Sequence, residues 1–176
     1  MSGNNHTVFL MEDGTVKTVG YNGHGECGTG NTTSPQLTLY TPDISGVKQV
    51  ACGNSHTVFL MEDGTVRTVG LSNNGQCCTG NTTNPQLALY TPNINGVKQI
   101  TCGGYHTVFL MEDGTVRTVG YNAQGQCSTG NTTSPQLTLY TPDISGVKQV
   151  ACGSAHTVFL MEDGTVRTVG NNNSGR

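Results

Sequence analysis

Short apolar bursts alternate with polar, glycine-rich punctuation along the whole chain, and no segment keeps a 3.6-residue apolar stripe long enough for a packed helix. Thr7-Val-Phe-Leu-Met11 reads as a buried strand and Glu12-Asp13-Gly14 as a turn. Thr15-Val-Lys-Thr-Val19 reads as a second strand of alternating polar and apolar positions. Between Tyr21 and Thr33 the chain is rich in turn residues, whose glycines admit backbone angles closed to bulkier side chains. Leu37-Thr-Leu-Tyr40 predicts a third short strand, which Pro42 keeps from continuing as a central ladder. Val47–Cys52 predicts a fourth, ended by Gly53.

This pattern is copied. His6-Thr-Val-Phe-Leu-Met-Glu-Asp-Gly-Thr15 returns from His56, His106 and His156, so one folding unit is repeated in space. The units run approximately over 4–53, 54–103 and 104–153, with a partial unit over 154–176, and residues 1–176 read as a single repeat domain. A hydrophobic fraction of 34% together with 25 glycines among 176 residues is the content of a folded domain. Eight basic against eleven acidic residues, dispersed along the units, lack the basic stripe of a nucleic-acid binder. No run approaches the length of an apolar membrane span, and the polar opening Ser2-Gly-Asn-Asn5 does not resemble a secretory signal. The default expectation is a cytoplasmic protein without nucleic-acid or membrane partners.

Four short strands per unit predict an all-β fold of small antiparallel sheets, arranged as blades rather than as a helical solenoid. Ala51-Cys-Gly-Asn-Ser-His-Thr-Val-Phe-Leu-Met-Glu-Asp-Gly-Thr-Val-Arg-Thr-Val-Gly70, followed by Asn74-Gly75-Gln76 and Thr79-Gly80-Asn81, resembles the regulator of chromosome condensation repeat family, a group of seven-bladed β-propellers. Val19, Val69, Val119 and Val169 stand where that family usually has Trp, and Cys27, Cys77 and Cys127 where it usually has Leu. The resemblance covers nearly the whole chain and implies β-propeller blades of four short antiparallel strands. It is less specific about function, because many activities are mounted on one scaffold.

With the Cys-Gly strand taken as first, the chain holds about three and a half units, and two chains would supply the strands of seven blades. Both ends carry the second-third hairpin, so two chains have eight such hairpins but only six fourth-first pairs. An eight-unit dimer with hybrid blades is the other way to close. Open sheet edges favour association, and twofold symmetry would satisfy both ends with one pair of surfaces. A homodimer closed into a ring by self-association is therefore expected. Its candidate assembly segments are His6, Val8, Leu10 and Val16 at one end and Val158, Leu160, Val166 and Val169 at the other.

Candidate chemistry is sparse. Six of the seven cysteines recur every 25 residues, Cys78 being extra, and without CxxC spacing they read as small buried hydrophobes. Cys52 with His56, Cys102 with His106 and Cys152 with His156 supply only two ligands each, where a structural zinc needs four; the histidines read as turn or packing residues. A Cys-His nucleophile would lack an orienting group and an oxyanion site. Glu12-Asp13 and its copies are turn residues, and Gly23–Gly30 lacks the lysine and helix of a phosphate loop. No cofactor, metal or catalytic residue is expected, and the chain does not read as an enzyme.

Variation between copies is the remaining clue. Tyr21-Asn-Gly-His24 becomes Leu71-Ser-Asn-Asn74 and Tyr121-Asn-Ala-Gln124, while Asn54-Ser55 becomes Gly104-Tyr105 and Ser154-Ala155. Loops between strands can display different chemistry without changing the core. Tyr21, His24, Leu71, Asn74, Tyr105, Tyr121 and Gln124 are the candidate partner-binding loop residues. Members of the resembled family include a nucleotide-exchange factor, a β-lactamase-inhibiting protein and an ultraviolet-B photoreceptor; the absence of Trp excludes the last chemistry. The expected function is a non-enzymatic scaffold for an unidentified protein partner, assembled as a homo-oligomer. The alternative is a structural self-assembling repeat without a dedicated ligand, including a fragment or engineered half-propeller.

Overall fold

A computed structural model describes residues 1–173, so the last three positions of the partial fourth unit lie outside it. The first sheet contains β1 (His6–Leu10), β2 (Val16–Gly20) and β3 (Gln36–Tyr40). The second contains β4 (Val47–Cys52), β5 (His56–Met61), β6 (Val66–Gly70) and β7 (Gln86–Tyr90). The third repeats it with β8 (Val97–Cys102), β9 (His106–Met111), β10 (Val116–Gly120) and β11 (Gln136–Tyr140). The fourth has β12 (Val147–Cys152), β13 (His156–Met161) and β14 (Val166–Gly170). Neighbouring strands are antiparallel and follow chain order. The predicted all-β blades are present, three and a half of them. Among the described residues no sheet closes back on another, so the single chain is not itself a ring.

The hairpin in each blade follows from Glu-Asp-Gly. Met11 carbonyl accepts from Gly14 N–H at 3.1 Å, and Met11 N–H donates to Thr15 carbonyl at 2.9 Å. Gly14 lies at φ 75, the left-handed angle that ends such a turn and admits glycine most readily. Asp13 Oδ1 accepts from both the Thr15 amide, at 3.0 Å, and the Thr15 hydroxyl, at 2.6 Å. The same pair of bonds recurs at Asp63, Asp113 and Asp163.

Blades pack face against face. Val8 and Val16 of the first blade meet Val47, Val50, Phe59, Met61 and Val69 of the second. Val58, Leu60 and Val66 then meet Val97, Ile100, Phe109 and Val119, and Val108, Leu110 and Val116 meet Val147, Val150, Phe159 and Met161. Each sheet is thus apolar on both faces, and the neighbouring copy covers what it cannot bury itself.

Polar bonds fix how far each blade sits from the next. Gln49 Nε2 donates to Ile100 carbonyl at 3.0 Å, while its Oε1 accepts from Ile100 N–H at 3.0 Å. Gln99 grips Val150 in the same way. His6, His56 and His106 place Nε2 at 2.9, 3.1 and 3.0 Å from the hydroxyls of Thr57, Thr107 and Thr157 on the following blade. Those hydroxyls donate to the carbonyls of Glu26, Gln76 and Gln126. Since each threonine has one hydroxyl proton, Nε2 must be the donor and Nδ1 a bare lone pair. Each Nδ1 is buried without a partner.

A Cβ at Gly53 or Gly103 would overlap the ring of His56 or His106, so glycine is required where the chain passes over the imidazole. The histidines assigned to packing and turns from sequence are therefore interblade ties.

Burial holds His6, His56 and His106 in the neutral form, depressing their pKa values from 6.5 to about 4, 3 and 4. Between those values and 6.5 the unfolded chain binds more protons than the folded one. Stability is complete above pH 6.5 and is lost as pH falls toward 4. Urea unfolding at pH 7 and pH 5 is expected to show a loss of about 2 kcal/mol per histidine. Equal stability at both values would remove the neutral-histidine assignment.

Candidate functional site

Antiparallel order sends the Glu-Asp-Gly turns to one end of every blade. The first-second loops and the connections after the third strand go to the other end. That second end carries the varied residues. Leu71, Asn73, Asn74 and Asn84 from the second blade join His24 from the first, Tyr105 and Tyr121 from the third, and Ser154 and Ala155 from the fourth. Together they line one concavity of about 630 Å³.

Five of the seven candidate loop residues, His24, Leu71, Asn74, Tyr105 and Tyr121, are brought together there. Tyr21 stands beside them, edge-on to His24 with ring centroids 6.0 Å apart. Gln124 is exposed outside the lining. Leu71 is buried and forms the floor, while Tyr105 keeps two-fifths of its surface exposed. The concavity therefore offers an apolar base, two phenol rings and several amide groups. That suits a peptide or protein surface with both apolar and hydrogen-bonding groups.

A network behind the loops holds them rigid. Asn22 Nδ2 donates to Thr29 Oγ1 at 2.8 Å and to the carbonyls of Asn31 and Thr33, each at 3.1 Å. Its Oδ1 accepts from Cys27 N–H at 3.0 Å. Asn122 repeats the arrangement. The second blade exchanges the two residue types, with Ser72 opposite Asn84 where the others have Asn22 and Asn122 opposite Ser34 and Ser134. The amide of residue 22, 72 or 122 still finds a side-chain oxygen, at 3.0 Å in each case.

Buried Glu26 was not singled out by the sequence reading. Gln76 and Gln126 hold the equivalent positions, which was the available signal. Glu26 Oε2 accepts from His24 N–H at 2.8 Å, as the Oε1 atoms of Gln76 and Gln126 accept from Asn74 and Gln124. Desolvation raises the Glu26 pKa against the opposing pull of its backbone hydrogen bonds.

The seven cysteines are free. Cys27, Cys77 and Cys127 are fully buried, and burial pushes their thiols up to about 11, 12 and 12. Cys52 and Cys152 are likewise pushed up to about 12, and Cys78 and Cys102 are raised as well. Protonated thiols of this kind are poor nucleophiles. Among the described residues no three His, Cys, Asp or Glu side chains gather as a metal site.

The assembly segments divide differently from the expectation. His6, Val8 and Val16 are buried against the second blade and are not free for another molecule, because the first blade uses that face on its own neighbour. Val169 is partly covered by the third-blade cluster, and Val158 and Leu160 are only half-exposed. Leu10 and Val166 remain exposed. The free apolar face at the N-terminal end is instead Phe9, Met11, Leu37 and Leu39, which are 46%, 40%, 81% and 56% exposed.

These sheets, with their ladder of buried ties and an edge-strand deficit at each end, define a partial β-propeller. The family profile described as Regulator of chromosome condensation (RCC1) repeat matches residues 2–26, 47–76, 97–126 and 147–176, and the chain belongs to this family. The family's propeller is a non-catalytic scaffold. No curated protein sequence matches the chain.

Human WBSCR16 is a similar solved structure, with 26% identity and a TM-score of 0.83 over 96% of this chain and 45% of that one. Yeast RCC1 (Prp20), solved with Kap60, superposes with a TM-score of 0.85 at 20% identity, over 97% of this chain and 42% of that one. A second structure of Prp20p from Saccharomyces cerevisiae gives 0.80 at 22%, again over 97% and 42%. The chain therefore spans less than half the length of these relatives.

Glu26→Gln is expected to stabilise the protein by about 1 kcal/mol at pH 7, because it removes a buried charge while keeping the acceptor for His24 N–H. A raised carboxyl pKa weakens the folded state as pH climbs through it, so the gain should vanish below pH 4.5. Thermal melts at pH 4 and pH 7 check both parts.

Proposed function

We propose that this chain is a self-assembling partial propeller, joined flank to flank with a second copy to extend or close the ring of blades. The observation that carries this reading is the N-terminal flank. Phe59 and Phe109 are completely buried by the preceding blade, whereas their counterpart Phe9 lies open with Met11, Leu37 and Leu39. Exposed apolar faces of this kind favour association.

Coverage of less than half of each of these relatives supports the half-propeller part of this reading. In the first sheet, Met1 and Ser2 lie along β1 in the inner-strand position. Met1 and Val8 exchange backbone bonds, with Ser2 bridging Thr7, as Ala51 pairs with Val58 and Cys52 with Thr57. Light scattering across a hundredfold dilution should show a dimer giving way to monomer, and Phe9→Glu with Leu37→Glu should leave a folded monomer. A monomer at all concentrations would end this reading.

The loop concavity favours a second reading, a protein-interaction scaffold. Prp20 is seen bound to Kap60 and has binding properties toward Gsp1p and histones, which supports a protein-holding role for propellers of this type. Here the partner would rest on Tyr105 and Tyr121 of the third blade, in a concavity lined from four blades, on the face where the copies differ most. Tyr105→Ala with Tyr121→Ala should weaken partner binding at least tenfold, as loss of central aromatic contacts does, without altering the oligomeric state. Retained binding would place the partner elsewhere.

A further inference from the structure

Lysine, arginine, aspartate and exposed glutamate are absent from the face that carries the loop concavity. Its segments 20–36, 52–55, 70–86, 102–105, 120–136 and 152–155 contain a single carboxylate, Glu26, and that one is buried. Glu12, Asp13, Lys17 and Lys48, with their copies, stand instead on the turns and strand starts at the opposite end. A charged partner residue entering the concavity would lose its water and meet no counter-charge.

Hydrogen-bonding capacity there is just as one-sided. Asn84 Oδ1 is already engaged by Ser72 N–H at 3.0 Å. Asn73 Oδ1 accepts from Asn74 Nδ2 at 3.0 Å and from Gln76 Nε2 at 3.4 Å, while Gln76 Oε1 accepts from Asn74 N–H at 2.8 Å. Backbone N–H groups can only donate, so they fix which way the Asn84 and Gln76 amides point, and Gln76 in turn fixes Asn73. Among the described residues, Nδ2 of Asn73 and Asn84 and the hydroxyls of Tyr105 and Tyr121 donate to no protein acceptor. Free donors therefore surround the apolar floor at Leu71, and the acceptors of these two amides are spent inside the protein.

We infer that the concavity takes a proline-bearing, uncharged extended segment of a partner protein, which rests on the protein-interaction reading and names its ligand. A polyproline II segment has no internal hydrogen bonds, so its carbonyls are available, and each proline lacks an N–H that would need an acceptor. Its carbonyls accept from the amides and phenols, while its rings cover Leu71 and the tyrosine faces, as in other aromatic-lined proline sites. A neutral sugar fits less well, because hydroxyls set over Leu71 would lose water without a partner.

The test pans the full chain against phage displaying random peptides of about twelve residues. Selected sequences are expected to carry proline and to exclude Asp, Glu, Lys and Arg from their shared core. A selected peptide, labelled with fluorescein, should lose at least about tenfold in affinity with Tyr105→Ala plus Tyr121→Ala. Asn84→Asp, which keeps Oδ1 for the Ser72 amide but removes the donor, should cost roughly tenfold with an unchanged circular dichroism melt. Affinity should hold within about twofold from about 50 to 500 mM salt, since no ion pair forms. Charged or proline-free selections, salt-sensitive binding, no selection at all, or saturable binding of maltoheptaose at the same tyrosines would overturn the inference. Charged selections that still need both tyrosines would leave the interaction reading standing, whereas selections indifferent to the tyrosines would remove both.

Discussion

Contact between one blade and the next is the constraint on which everything else in this molecule depends. Each sheet presents apolar residues on both faces, so it cannot be a folded object alone. Val58, Leu60 and Val66 need Val97, Ile100 and Phe109 in front of them, just as Phe59 needs Val8 and Val16 behind. Burying a side chain of phenylalanine size contributes about 1.5 to 3 kcal/mol. That contribution is non-directional, and direction comes from the polar ties. The Gln49 amide reproduces a strand's donor-acceptor pair across the gap to Ile100, and the imidazole of His56 reaches the hydroxyl of Thr107.

Those ties explain two features with little meaning in isolation. Gly53 and Gly103 sit beside histidines because the ring must pass under bare backbone, and the threonine after each histidine is needed by the preceding blade. A His-Thr pair is thus two halves of two different contacts. It acts in series: His56 reaches Thr107 on the blade ahead while Thr57 receives His6 from the blade behind.

Fold and repeat phase were legible because turn chemistry is local. Asp-Gly dictates its hairpin wherever it falls, and the fourteen strands follow from apolar runs between such turns. Stacking direction was not legible, since a strand with apolar residues on both faces does not announce which face meets its own neighbour. Val8 and Val16 were therefore expected at an assembly surface and are instead covered by the second blade, while Phe9 and Met11 are left open. The loop patch was partly legible. Variation among copies pointed to Tyr105, Tyr121 and the Ser154-Ala155 copy, but Asn84 enters the same concavity only through folding. Glu26 escaped notice because a charged residue in a glycine-rich loop reads as solvated until neighbouring blades enclose it.

The same economy separates framework from display. Substitution within a blade face has to satisfy the next copy as well as its own sheet, so His-Thr-Val-Phe-Leu-Met and Glu-Asp-Gly-Thr remain the same in all four copies. The first residue after each third strand is freer, because the ties to the next blade come from Glu26, Gln76 and Gln126 further along the loop. Tyr21, Leu71 and Tyr121 can therefore differ at one structural position while the Asn22, Ser72 and Asn122 amides beneath them keep equivalent bonds. Where those differing residues converge on one face, repetition has produced a surface that is no longer repetitive. Four similar blades can then present one asymmetric arrangement of rings and amides to a partner.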